Sequence, residues 1–306
     1  MNEVKTLANE IYSNAEIWIE NNLKFFDINN LSKDIKEDLQ FKAYIELLFT
    51  LDMFFPDIWI SRTSLEKIKE ITSLVSKNIN FSKYFFENAA LGSGSEEMII
   101  FYNNFFETPY IEEWRFKLMI KDGIELVARR TPYRILDTAY SLMKANIQSG
   151  LPSLESLYNL TVISNENFNY LYLSENSAYS ITHTIFYITD MGRKHPKFIN
   201  YQYIYNNLKN MIIFYGLKNN VDIMGECLLC LLFLNPNNNF KQEDLELITG
   251  SLKLIKNRQS KNGDIHSPSN LDDNKLSNKE IFFDNYHTTL VNIGVCYAIQ
   301  KHIINN

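Results

Sequence analysis

The segment VDIMGECLLCLLFL (221–234) is apolar on every side, the pattern of a helix buried all round, yet it carries Asp222 and Glu226. Four residues apart, the two carboxylates share one helix face about a turn from each other. Carboxylates are rarely buried alone, and two together call for a cation, a proton or a cavity with a cationic substrate. The plainer alternative makes Asp222 a helix cap and pairs Glu226 with an Arg. Cys227 and Cys230 form a C-x-x-C, but inside such a helix they read as small apolar packing.

Two further segments supply histidines. In SAYSITHTIFYITDMG (177–192), Ala178, Ile181, Ile185 and Ile188 make one stripe, while Tyr179, His183, Tyr187 and Asp190 line the other side, as the wall of an interior pocket would. His183 and Asp190 lie roughly 10 Å apart along the axis. They are too distant to share a metal, so Asp190 is expected in another layer, paired with Arg193. In FFDNYHTTLVNIGVCYAI (282–299), Asp284 or Asn285 as a cap places Tyr286 and His287 in a first helical turn. There the helix dipole favours the neutral, metal-binding imidazole. A separate cluster, Arg129, Arg130 and Arg134 around Thr131-Pro132, offers an anion site at a helix start. Its rival is an ion pair between Arg134 and Asp137, one turn on.

The elements that must position these groups read as helices throughout. Thr63-Ser64 precedes a Leu65/Ile68/Ile71/Leu74 stripe, and Pro109 and Pro132 sit where helix starts expect proline. Further periodic stretches cover roughly 153–162, 177–190, 199–216, 221–234, 241–257 and 284–303, making about a dozen helices with the earlier ones. Period-2 alternation is lacking, so the chain is expected to be all-α. The domain reading is an N-terminal helical region over 1–90 and a second region over 98–306 that holds the site, with LGSGSEE (91–97) as hinge or internal loop. The polar stretch from 257 to about 280 reads as a long loop, a lid or plain surface.

The 306 residues hold 45% hydrophobic and 22% charged residues with a net charge of −6, a globular chain without the basic surface that nucleic acid requires. A Gly-rich phosphate cradle is missing, so no nucleotide cofactor is expected. Three cysteines make no disulfide framework, and no apolar run is long enough to span a bilayer. A cytoplasmic protein is the natural expectation.

The tail QSKNGDIHSPSN…FFDNYHTTLVNIGVCYAI resembles one repeat of the α/α-toroid superfamily of squalene cyclases and protein prenyltransferase β-subunits. Gln259-x-x-x-Gly263-Asp264 echoes their Q-x-x-D-G turn, and Asp284-Asn-Tyr286-His287-Thr288 is similar to the prenyltransferase segment whose His ligates zinc. The D-x-D-D and D-D-x-x-D motifs and the D-x-C zinc pair are absent. The resemblance thus implies the fold, an α/α toroid or toroid-like array of helical hairpins, more than prenyl chemistry. RTPYRILDTAY, AYSITHTIFYITDMG, VDIMGECLL and NYHTTL together resemble an uncharacterised family of bacterial helical proteins associated with specialised-metabolite gene clusters.

The expectation drawn from all this is an enzyme acting on a small molecule or peptide in a central polar cavity. His183, Asp222, Glu226 and His287 would hold iron or zinc, or one imidazole would act as general base opposite a protonated carboxylate. His183, Tyr187, Asp190 and Tyr286 are the candidate catalytic groups, and Arg129, Arg130, Arg134 and Asp264 the candidate substrate-binding groups. The rival is a non-catalytic helical scaffold binding a peptide or protein.

Overall fold

The computed structural model describes residues 2–30, 36–79, 81, 93–127, 130–165, 168–235, 239–269 and 276–304. Thirteen α-helices are found among them: α1 (Asn2–Asn21), α2 (Glu37–Phe54), α3 (Arg62–Asn78), α4 (Gly94–Phe105), α5 (Glu113–Lys121), α6 (Ile124–Val127), α7 (Pro132–Lys144), α8 (Leu154–Tyr158), α9 (Glu175–Ile188), α10 (Tyr201–Leu217), α11 (Val221–Phe233), α12 (Gln242–Arg258) and α13 (Asn278–Ile299). The all-α expectation holds: the β structure of the described residues amounts to one isolated bridge, Gln259 to Ile265. The chain forms two compact units, Met1–Asn22 with Thr161–Asn306, and Leu23–Leu160.

The discontinuous unit is built around α11. Every residue of this helix is buried, because α9, α10, α12 and α13 all pack against it. That is why its sequence shows no polar face. Gly225 sets how closely α13 can approach: a Cβ there would stand 2.8 Å from Asn292 Oδ1 and 3.0 Å from Val291 Cγ1. α1 buries Val4, Ala8, Ile11, Ala15 and Trp18, a stripe at helical spacing, against α12 and α13. The turn after α12 fastens it. Gln259 Nε2 donates to the Ile11 carbonyl at 2.9 Å, and Asn14 Nδ2 donates to Gln259 Oε1 at 3.3 Å. Gly263 takes a left-handed φ of 106°, and a Cβ on it would meet the Asn14 carbonyl oxygen.

The continuous unit packs α2 on α4, α4 on α7 and α7 on α8. Ser61 caps α3, accepting from Ser64 N, and Tyr44 joins α2 to α3 through its hydroxyl, 2.9 Å from Thr72 Oγ1. Pro132 opens α7 behind Thr131, as read from sequence. Gly94 to Glu97, expected in a hinge or loop, instead form the first turn of α4, while 91–92 lie outside the described residues.

Two helix starts differ from the sequence expectation: α5 begins at Glu113, four residues past Pro109, and α13 begins ahead of Asp284. α13 begins at Asn278, where Ser277 and Glu280 form a reciprocal capping box, so neither Asp284 nor Asn285 is the cap. His287 therefore sits in the third turn, beyond the reach of the dipole argument. The described part of the preceding loop is pinned to the fold: Ile265 N donates to Thr289 Oγ1 at 2.9 Å, and Ser267 N to Asn285 Oδ1 at 2.9 Å. Residues 270–275 of the lid expectation lie outside the described set. No described helix is long and apolar enough to cross a membrane.

Candidate active site

Three helices of the discontinuous unit bring four of the expected residues together. α11 supplies Asp222 and Glu226, both almost wholly buried, while α9 supplies His183 and α13 His287, both half-buried. His183 Nε2 stands 3.5 Å from Glu226 Oε1, and His287 Nε2 stands 3.9 Å from the same oxygen and 3.6 Å from Asp222 Oδ2. Asp222 is not the cap of α11: Asn220 fills that role, accepting from Ile223 N at 3.1 Å. Among the described residues Glu226 meets no Arg; its partners are the imidazoles and Thr182 Oγ1, which donates to Oε2 at 2.5 Å. Tyr179 donates its hydroxyl to Asp222 Oδ2 at 2.5 Å.

Electrostatics follow from these contacts. Burial by itself pushes Glu226 up, but the facing His183, then His287 and the Thr182 hydroxyl, outweigh it and hold the carboxyl below its ordinary value. The carboxylate opposite the imidazoles is therefore held toward its ionised form, whereas the metal-free alternative called for a protonated one. Burial, with Asp222 next in weight, lifts the Tyr179 phenol far above its usual range and keeps it a donor. The Cys227 and Cys230 thiols are pushed well up by burial, as apolar packing groups would be.

The remaining candidates divide. Tyr187 is buried with its ring centroid 6.0 Å from that of His183, and Tyr286 stacks on Phe282 at 5.6 Å while standing 6.3 Å from the His287 ring. Asp190 faces Arg193 at 3.5 Å and Lys194 at 3.6 Å, the separate pairing that the two-turn spacing suggested. Asp264 accepts from Asn285 Nδ2 at 2.7 Å and from the Ser260 hydroxyl, so both oxygens hold the loop. In the continuous unit, Arg134 pairs with Asp137 at 3.1 Å, and Arg130 donates to Thr138 Oγ1. Glu96 and Asp137 both lie within electrostatic reach of Arg130. Arg129 lies outside the described residues.

Sequence reasoning missed Thr182 as a partner and, in the continuous unit, the buried pair Glu96 and Glu97. Among the described residues, Glu96 has neither oxygen in a hydrogen bond of ordinary geometry, and Glu97 Oε2 and Ser95 Oγ also lack partners. Burial pushes Glu96 up to about 8, only partly offset by its own backbone N–H and Arg130. Glu97 is raised well above its ordinary value, by burial first and then by Asp52, Asp137 and Glu96.

The chain is thus an all-helical protein with a buried carboxylate pair faced by two imidazoles. It belongs to the family described as domain of unknown function DUF6895, whose sequence profile matches residues 12–297. No curated protein and no solved structure matches the chain.

Proposed function

We propose that the chain is an enzyme of small-molecule or peptide metabolism with an acid–base centre formed by His183, Asp222, Glu226 and His287. The observation that carries this reading is the convergence of two half-buried imidazoles, from two helices, on one buried and ionised carboxylate. Taking a carboxylate out of water is costly, and a core needs none for packing. A carboxylate that accepts an imidazole N–H orients the ring and stabilises the imidazolium formed when its other nitrogen takes a proton. Thr182 and Tyr179 hold the two carboxylates in place for that task. A toroid-like arrangement of the helices and a place in specialised metabolism belong to the same proposal, supported by the resemblances of the tail and of the four internal segments.

Iron or zinc on the same four residues is the metal-dependent form of the proposal. The N···O separations of 3.5–3.9 Å suit donors around one ion pair by pair, yet among the described residues no three His, Cys, Asp or Glu side chains are placed to hold an ion together. Loading would require these side chains to shift, so the acid–base reading takes no step through a metal. Elemental analysis of untagged protein separates the two forms.

The test of activity is mass-spectrometric. The protein is incubated with small-molecule and peptide extracts beside His183→Ala, His287→Ala and the double variant. Compounds consumed by the parent should be consumed about 10²–10⁴-fold more slowly by each single variant. The double variant should be little worse, because residues acting as one unit are non-additive. Full turnover in both single variants would reduce the histidines to packing and leave the non-catalytic scaffold as the better reading.

A further inference from the structure

Asp222 is buried to 3% exposure, and its two oxygens differ sharply. Oδ2 accepts the Tyr179 hydroxyl at 2.5 Å and faces His287 Nε2 at 3.6 Å, whereas Oδ1 is buried with no hydrogen-bond partner among the described residues. A carboxylate oxygen in that position is costly unless something supplies a donor. The surroundings say what kind of donor. Within ion-pair reach of Asp222 and Glu226 stand the two imidazoles, and no Lys or Arg among the described residues. Glu175 adds a third carboxylate, bound to Asn220 Nδ2 at 3.3 Å and acting on Tyr179 together with Asp222 and Glu226.

The apolar part of the site is aromatic. The His183 ring lies 6.3 Å from Tyr179, 5.8 Å from Phe186 and 6.0 Å from Tyr187, centroid to centroid, and Tyr286 stands beside His287. Aromatic rings beside carboxylates favour a positively charged group that also offers N–H donors. A carboxylate or phosphate ligand would be repelled by the three acids. A neutral amide would satisfy Oδ1 and leave the excess negative charge unmatched.

We infer that the centre binds its substrate through an ammonium or guanidinium group donated to Asp222 Oδ1. The inference rests on reading this cluster as a substrate site and adds the chemical class of that substrate. His287, within 3.6 Å of the same carboxylate, then stands beside the bound cation, where it can exchange a proton with a neighbouring atom.

The experiment measures binding, so its failure is separable from failure of the acid–base reading. Benzylammonium, putrescine and agmatine are titrated calorimetrically at low salt against the full chain, beside benzyl alcohol and benzoate as neutral and anionic controls. At least one cation should bind, with both controls at least tenfold weaker, and the affinity should fall as salt is raised. Asp222→Asn should weaken that cation at least tenfold. Glu175→Gln, at an exposed position, should weaken it about threefold at low salt and leave it unchanged at high salt. Equal binding of benzyl alcohol, no cation bound, or a cation whose affinity both variants leave untouched would overturn the inference. Turnover of an uncharged compound without cation binding would overturn it and leave the acid–base centre standing.

Discussion

Two pairs of buried carboxylates, one in each compact unit, meet opposite fates. Asp222 and Glu226 on α11 and Glu96 and Glu97 on α4 are equally removed from water. Yet Glu226 is held below its ordinary value, whereas Glu96 is pushed up to about 8 and Glu97 well above the carboxylate range. Partners make the difference. Glu226 has two imidazoles and a hydroxyl in reach, while both Glu96 oxygens lack hydrogen bonds of ordinary geometry. Burial therefore does not decide whether an interior acid is charged; the groups aimed at it do. Glu226 is equipped to work as an ion, whereas burial pushes both α4 acids toward their protonated forms.

The largest expected effect tests the α4 side. Glu96 ionises near 4.5 when unfolded and near 8 when folded, so between those values the folded chain keeps a proton that the unfolded chain releases. The stability it contributes is complete below 4.5 and is lost as pH rises through 8, a change on the order of 5 kcal/mol. Chemical denaturation from pH 5 to 9 should show this decline, and Glu96→Gln should make it shallower, leaving the share that Glu97 contributes. A difference between the two proteins that stays constant with pH would mean that Glu96 has a partner after all.

The same substitution at the other site should carry the opposite sign. Glu226→Gln is expected to cost about 2 kcal/mol at neutral pH, less than a fully buried pair because the imidazoles it deserts reach solvent. At pH 8, Glu96→Gln should stabilise. Equal signs in one set of melts would abolish the contrast. The smallest effects repeat the logic with hydroxyls. Thr182→Val removes a bonded one and should cost about 1 kcal/mol, whereas Ser95→Ala removes an unpartnered one and should be neutral or slightly stabilising.

The α11 site was legible because its residues break a pattern. Two acids four apart in an otherwise apolar helix, and histidines opposite apolar stripes, are conspicuous in a linear sequence. Glu96 and Glu97 break none, since Ser-Gly-Ser-Glu-Glu is what an ordinary exposed helix start looks like. Their burial comes from the packing of α4 between α2 and α7, which no local spacing encodes. The misplaced start of α13 has a comparable cause: Asp284 and Asn285 are good caps, but Ser277 with Glu280 forms a complete capping box earlier in the chain. In the arginine cluster the Arg134–Asp137 pair was readable from its one-turn spacing, whereas Glu96, distant in sequence, reaches Arg130 only through the fold.

The turn at Gln259 and Gly263 has a consequence in time. It ties α1 to residues about 245 positions further along, and Gln300 Nε2 reaches Asn9 Oδ1 across 291. During synthesis the continuous unit can condense as soon as it has left the ribosome, whereas α1, with its apolar stripe uncovered, waits for α12 and α13. Closing so long a loop adds little to its entropic cost relative to a shorter one, but it leaves a sticky amphipathic helix unpartnered for most of translation. Pulse proteolysis of nascent chains should find Leu23–Leu160 protected first and α1 last. The half that carries the imidazole–carboxylate centre is thus the half that matures only once α13 has been made, so a chain stalled short of α13 would hold a folded continuous unit and no His287 at all.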